Sequence, residues 1–223
     1  MNWHVDIENI PILSKGALLT LELTAGAVAI GVLIGLVMAL ARLSKRKVIR
    51  AAAIAYIDFF RGTPLLVQIF LVYFGIPMLL HWTTMPDNYQ YIAGVLAMGL
   101  NSGAYIAEIF RAGIQSIDRG QSEAARSLGM NHSQSMRYVI LPQAFKRVIP
   151  PLGNEFIALL KDSSLLSIIA IQELFYTGKI IVGRTYQPLP MYIAVALFYL
   201  VMTQLIAQWV AYMERRLGKN DIR

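Results

Sequence analysis

The sequence predicts an all-α integral membrane protein with five transmembrane helices, its N-terminus outside and its C-terminus in the cytoplasm. Three observations lead there. Hydrophobic residues make up 57% of the 223 and charged residues 15%, against about 25% charge in an average soluble domain; the mean hydropathy is +0.54. The apolar residues gather in runs of roughly 20, the length at which a helix rising about 1.5 Å per residue crosses the hydrocarbon core. Lys and Arg fall between those runs with a strong bias to alternate loops.

The first run, 16–41, exceeds the 7–15 apolar residues or so of a signal peptide. No basic stretch precedes it, and Arg42 and Lys45 follow it as a stop-transfer flank does. The second ends near Leu80 and begins between Ala51 and Pro64, where Arg61-Gly62-Thr63-Pro64 interrupts it. Thr63 suits an N-cap and Pro64 the first helical position. Either an interfacial helix precedes a fresh span at Pro64, or one helix kinks or breaks there; a kinked or broken helix is favoured. The third run is 91–110, the fourth 152–171 and the fifth 189–212.

Arg42, Lys45, Arg46, Lys47 and Arg50 follow the first run. Arg111, Arg119, Arg126, Arg137, Lys146 and Arg147 lie between the third and fourth, and Arg215, Arg216, Lys219 and Arg223 close the chain. The other side holds Lys15, Lys179 and Arg184. The basic side is the cytoplasmic one. The net charge of +7 thus follows membrane topology and does not form a nucleic-acid surface. No hydrophilic block is large enough to fold apart, so 1–223 reads as a single transmembrane domain. The chain has no Cys, which removes disulfides and thiolate metal sites.

Between the third and fourth runs lies the longest cytoplasmic segment, about 112–150. Asp118 or Ser122 can cap a short helix, Glu123 falls in its first turn, and Gly129 suits its stop. A new cap follows at Asn131 or Ser133, and a second helix runs 134–148 with Pro142 inside it. By mechanics alone the segment is either a solvated connector or a helix displayed beyond the bilayer.

Glu123-Ala124-Ala125, then Gly129, then Ile140-Leu141-Pro142 resembles the EAA motif of ABC importer permeases. Four further motifs resemble the polar amino acid subfamily, in order along the chain. They are Phe60-Arg61-Gly62-Thr63-Pro64, Asn101-Ser102-Gly103-Ala104-Tyr105, Pro150-Pro151-Leu152-Gly153-Asn154 and Lys161-Asp162-Ser163-Ser164-Leu165. The resemblance implies a fold like that of type I ABC importers, in a prokaryotic plasma membrane. It implies a coupling helix carrying Glu123, Ala124, Ala125 and Gly129 that docks on a cytoplasmic ATPase. It also implies two ATPase copies, a second copy of this chain or a similar permease, an extracellular solute-binding protein and a polar amino acid substrate. No Gly-x-x-x-x-Gly-Lys-Ser/Thr run is present. ATP and Mg are therefore expected on the partner ATPase, with no cofactor and no enzymatic activity in this chain.

Ionisable groups at bilayer depth cost several kcal/mol and point to function by default. Asn101 lies about 15 Å into the third run by helical rise, and Lys161 and Asp162 lie as deep in the fourth. Transporter sites sit at that depth. Asn101, Tyr105 and Glu108 share one helical face, as do Glu155 and Asp162. The candidate substrate group is Asn101, Ser102, Glu108, Glu155, Lys161, Asp162 and Ser163, in which a zwitterion finds both signs of charge. The alternative is an internal salt-bridge network, such as Lys161 with Glu108. Asp58 and Arg61 at i, i+3 suit a structural pair, Glu22 an interfacial position, and Gly26, Gly31 and Gly35 close helix packing. His4, His81 and His132 are scattered, and no metal site is expected. Acids outnumber bases among the membrane-depth residues Asp58, Glu108, Glu155 and Asp162 against Arg61 and Lys161, which leans the substrate towards basic amino acids. A passive channel has no use for the 112–150 loop, and no nucleophile–base constellation supports a membrane enzyme.

Overall fold

A computed structural model describes residues 4–218, all helical among the described residues apart from connecting turns. Met1, Lys219 and Arg223 lie outside the described residues, as does the side chain of His4.

Helix α1 spans His4–Arg42. It begins earlier than expected because Glu8 and Lys15 punctuate the apolar run without breaking the helix. After α2, Lys47–Gly62, the chain turns by 109° into α3, Leu65–Leu79. A bend of that size is a break between two elements and not the kink of one continuous tilted helix. The break falls at the expected motif, but its capping differs. Thr63 closes α2, its Oγ1 donating back to the Phe59 carbonyl at 2.8 Å. Pro64 takes the N-cap position of α3, where it needs no N–H.

Helix α4 spans Tyr89–Gln115 and α5 Arg119–Ser127. Then α6 runs His132–Ile169 as one rod, containing a π-helical turn at Met136–Ile140 and a 3-10 stretch at Ser163–Ile169. The second loop helix and the fourth apolar run are thus a single element. Pro142 falls at the start of the α-helical part, and Pro150 and Pro151 lie inside it. Helix α7, Leu174–Thr185, follows at 49° to α6, and α8 is Pro188–Gly218. Three stretches are long and apolar enough to cross a bilayer unaided, in α1, α4 and α8; each bent pair, α2–α3 and α6–α7, passes that test only together.

Small residues fix how these rods meet. A Cβ on Gly31 would stand 3.1 Å from Ser102, and one on Gly35 would stand 2.8 Å from the Ile106 Cβ and 3.1 Å from the Ala107 N. Partner numbers rise together, so α1 and α4 run parallel. Ser102 meets Glu155 while Gly113 faces Val148, and Gly153 faces Val210 while Leu160 clusters with Met202; partner numbers there run in opposition. Helix α6 is therefore antiparallel to α4 and to α8. Two apolar clusters hold the bundle. One joins Leu23, Ile69, Met98, Leu159 and Leu166 across α1, α3, α4 and α6. The other joins Leu13, Leu160, Leu174 and Met191 across α1, α6, α7 and α8.

Candidate functional site: a displayed helix and a charged cleft

Helix α5 is set by local chemistry at both ends. Asp118, not Ser122, caps it, Oδ1 accepting from the Gly120 N–H at 2.7 Å. At the other end Gly129 N–H donates to the Arg126 carbonyl at 2.9 Å and Met130 N–H to the Ala125 carbonyl at 3.1 Å. That pair of bonds is a Schellman closure, and it puts Gly129 at φ 82°. Asn131 and Gln134 then form a reciprocal capping box that starts α6. With Asp118 as cap, Glu123 lies beyond the first turn, away from the N-terminal dipole. Ala125 is buried, while Glu123, Ala124 and Gly129 are exposed. Leu128, which the sequence reading missed, is 81% exposed at the tip. Its signal was an apolar residue directly before a C-cap glycine. The helix is tied to α6 by Gln143 Nε2, which donates to Gln121 Oε1 at 3.0 Å, and the end of α4 just before it by Arg147, which donates to the Ser116 carbonyl.

A cleft of about 510 Å3 opens between α2, α4 and α6, with Arg61, Tyr105, Glu108, Arg147 and Glu155 on its walls. Glu108 is paired with Arg42 and Arg111, the latter through Nη2 to Oε2 at 2.9 Å and Nε to Oε1 at 3.2 Å. Its expected partner in a structural network, Lys161, is exposed and elsewhere. Arg111 follows Glu108 at i+3 on α4 itself, and Arg42 reaches it because α1 and α4 run parallel and end together. Arg61 lies over the Tyr105 ring at 5.4 Å and forms no ion pair with Asp58. Glu155 Oε1 accepts from Ser102 Oγ at 2.9 Å.

The remaining candidates divide. Asn101 is buried and donates to Gln68 Oε1 at 2.9 Å and to the Phe60 carbonyl at 3.2 Å. Gln68 in turn donates to the Phe60 and Thr63 carbonyls at 2.9 and 3.0 Å. Asn101 thus stitches α4 to the break between α2 and α3. Ser163 is fully buried and donates to the Leu160 carbonyl at 2.7 Å. Asp162 is exposed beside Lys161 at the start of the 3-10 stretch. So Glu108 and Glu155 line the cleft, the buried Ser102 stands behind Glu155, and Asn101, Lys161, Asp162 and Ser163 do not line it. Arg147 and Arg61 join it unpredicted, since a cleft built from three helices has no single period. Glu22 is exposed on α1. No group of three His, Asp or Glu able to hold a metal ion occurs among the described residues.

A helical membrane bundle with a displayed EAA helix and a charged cleft defines a permease of the ABC transporter class. The chain belongs to the family described as binding-protein-dependent transport system inner membrane component, whose pattern matches residues 31–219. It is 40% identical over 220 residues to the probable glutamine ABC transporter permease protein GlnM of Bacillus subtilis, covering 99% of this chain and all of that one. It is 36% identical over 221 residues to the arginine transport system permease protein ArtQ of the same organism, covering 99% of both. A crystal structure of an amino acid ABC transporter with histidines superposes with a TM-score of 0.90 at 46% identity, over 97% of this chain and 99% of that one.

Proposed function

We propose that the chain is the membrane-crossing subunit of an ATP-driven importer of polar amino acids. The observation that carries it is α5: a short helix closed at both ends, exposed on its Glu123-Ala124 face and joined to a long rod that reaches the charged cleft. Force applied at α5 passes along α6 to Glu155. A passive channel has no use for that linkage.

On this reading 1–223 is one transmembrane domain that crosses five times, counting each bent pair as one span. The N-terminus lies outside and the C-terminus inside. The parallel run of α1, α4 and α8 supports it, since the chain must return between each pair. Two permeases, this chain twice or with a similar one, pair around the pathway. Two ATPase subunits bind ATP and Mg, and α5 of each permease docks on one through Glu123, Ala124, Ala125 and Gly129. An extracellular solute-binding protein delivers the substrate. Five spans enclose no pathway alone, so a complex with one permease per ATPase pair would sink the dimer.

For the substrate we favour a basic amino acid. Glu108 is doubly matched by Arg42 and Arg111, whereas Glu155 is held by the neutral Ser102. It is the cleft carboxylate left to offset a cationic side chain or an α-ammonium. Ser102 positions it, while Asn101, Lys161, Asp162 and Ser163 lie outside this cleft. Relatives named for glutamine as well as arginine make this a matter for direct competition. Reconstituted transporter is expected to show arginine uptake that lysine competes with and glutamate does not. Glu155→Gln should weaken arginine competition by about tenfold, one pKa-unit-sized interaction. Uptake blocked only by glutamate, or cation preference indifferent to Glu155→Gln and Asp162→Asn alike, defeats the basic preference.

A further inference from the structure

A second cleft, of about 400 Å3, lies between the first part of α1, the start of α4 and α7, with Lys15, Tyr91, Gln172, Thr177 and Arg184 on its walls. Tyr91 stands in the first turn of α4, while Ser116, on the wall of the first cleft, follows its end. By helical rise they stand about 37 Å apart. The topology proposed above puts this cleft on the external side.

Its floor is rigid. A Cβ on Gly16 would stand 2.8 Å from Thr177 Oγ1 and 3.0 Å from the Leu174 Cα, so only glycine lets α7 sit this close on α1. The start of α7 is pinned by Glu173, fully buried, which accepts from Phe175 N–H at 2.8 Å, Tyr176 N–H at 2.7 Å and the Tyr199 hydroxyl at 3.0 Å. Leu174 N–H donates to Thr20 Oγ1 on α1 at 3.1 Å.

The charges at the rim of this cleft have no match among the described residues. Lys15 and Arg184 are both exposed and come from different elements, and neither makes an ion pair or hydrogen bond among the described residues. No Asp or Glu lines the cleft. Glu173 is spent on the N-cap, and Glu8 lies seven residues from Lys15, about 10 Å along α1 and beyond ion-pair reach. Ile12, Leu19, Ile180 and Ile181 supply apolar walls. Two cations at the rim above apolar walls suit a carboxylate carried on methylenes, which buries its stem and pairs its charge.

We infer that this cleft receives an acidic side chain of the solute-binding protein, with Lys15 and Arg184 as the paired cations. The inference rests on the importer reading, and it assigns to α7 the outer half of the transport cycle. Charge pairs at an interface rim act mainly on encounter rate and salt dependence.

The test uses the assembled permease–ATPase complex in nanodiscs, titrated with its liganded solute-binding protein. ATP hydrolysis is the readout. For Lys15→Glu with Arg184→Glu, the half-saturating concentration of binding protein is expected to rise about tenfold or more at low salt. The gap should narrow at about 0.5 M salt, where charge is screened within a few ångströms. Basal hydrolysis and the maximal stimulated rate should hold. Lys15→Gln with Arg184→Gln, which adds no repulsion, should give a smaller shift in the same direction; it carries the test if the reversed pair does not assemble. A responsive wild type with both variants indifferent overturns the inference alone. A wild-type complex that hydrolyses ATP without any response to the binding protein overturns the importer reading, and this with it. If free arginine stimulates wild type and the variants lose only that response, the cleft takes the substrate's own carboxylate and the docking proposal falls.

Discussion

Gly129 stands at φ 82° with nothing within 4 Å of where a Cβ would be. Its requirement is therefore conformational and not steric. A branched residue there opposes the left-handed backbone by about 1–2 kcal/mol, whereas Asn tolerates it. Gly129→Val is expected to lower transport several-fold and weaken ATPase co-purification, with membrane insertion intact; Gly129→Asn should keep most of both. Normal transport and ATPase association in Gly129→Val would remove the coupling role from α5. Residue chemistry of this kind was legible because it is local: Asp118, Gly129 and Asn131 satisfy their bonds within a few positions. Partners were not. Glu108 meets Arg42 across 66 positions and Ser102 meets Glu155 across 53, and no period within one helix reports which neighbours face it.

At the scale of elements, the break between α2 and α3 is held by one side chain. Gln68 is 1% exposed, and its amide donates to Phe60 O, Thr63 O and Thr63 Oγ1 while its carbonyl accepts from Asn101. Gln68→Leu keeps the size and strands those groups in an apolar setting, at a cost of about 1–3 kcal/mol for each polar group left unsatisfied. The detergent-solubilised variant is expected to unfold several degrees below wild type by intrinsic fluorescence, and Asn101→Ala in the same background should add little, because the two share one network. An additive loss would show that Asn101 acts elsewhere, as in substrate contact. The break was readable from Arg61-Gly62-Thr63-Pro64, but its 109° angle was not. The angle depends on Gln68, a turn further on, reaching back over the gap. Similarly, the second loop helix and the fourth run read as two elements because proline residues at 142, 150 and 151 mark ends in most contexts. Here the π-helical turn before Leu141 absorbs the first of them.

For the whole molecule, orientation is the property on which every other proposal leans, and the chain offers a clean assay for it. It contains no Cys, so a single introduced thiol has no background. Asp87→Cys, in the exposed turn before α4, is expected to react with a membrane-impermeant maleimide in intact cells. Ser127→Cys, exposed on α5, should react only after permeabilisation. The reverse pattern would invert the topology and move the Lys15–Arg184 cleft to the cytoplasmic side.

The π-helical turn at Met136–Ile140 has a further consequence. There Leu141 N–H reaches five residues back, to the Met136 carbonyl. Such a turn amounts to one surplus residue in an otherwise regular rod, so it sets the phase of everything before it, like an extra tooth in a gear. Removing a single residue, Tyr138, which is 63% exposed, would restore the regular thread and rotate α5 by about 100° about the α6 axis. The two larger clusters lie beyond this point and only the small one of Ile117, Ile140 and Ala144 packs against the turn, so the unfolding temperature should fall only slightly. The displayed Glu123-Ala124 face would then point away from the ATPase groove, giving a folded permease geared to the wrong side: bound ATPase activity uncoupled from uptake.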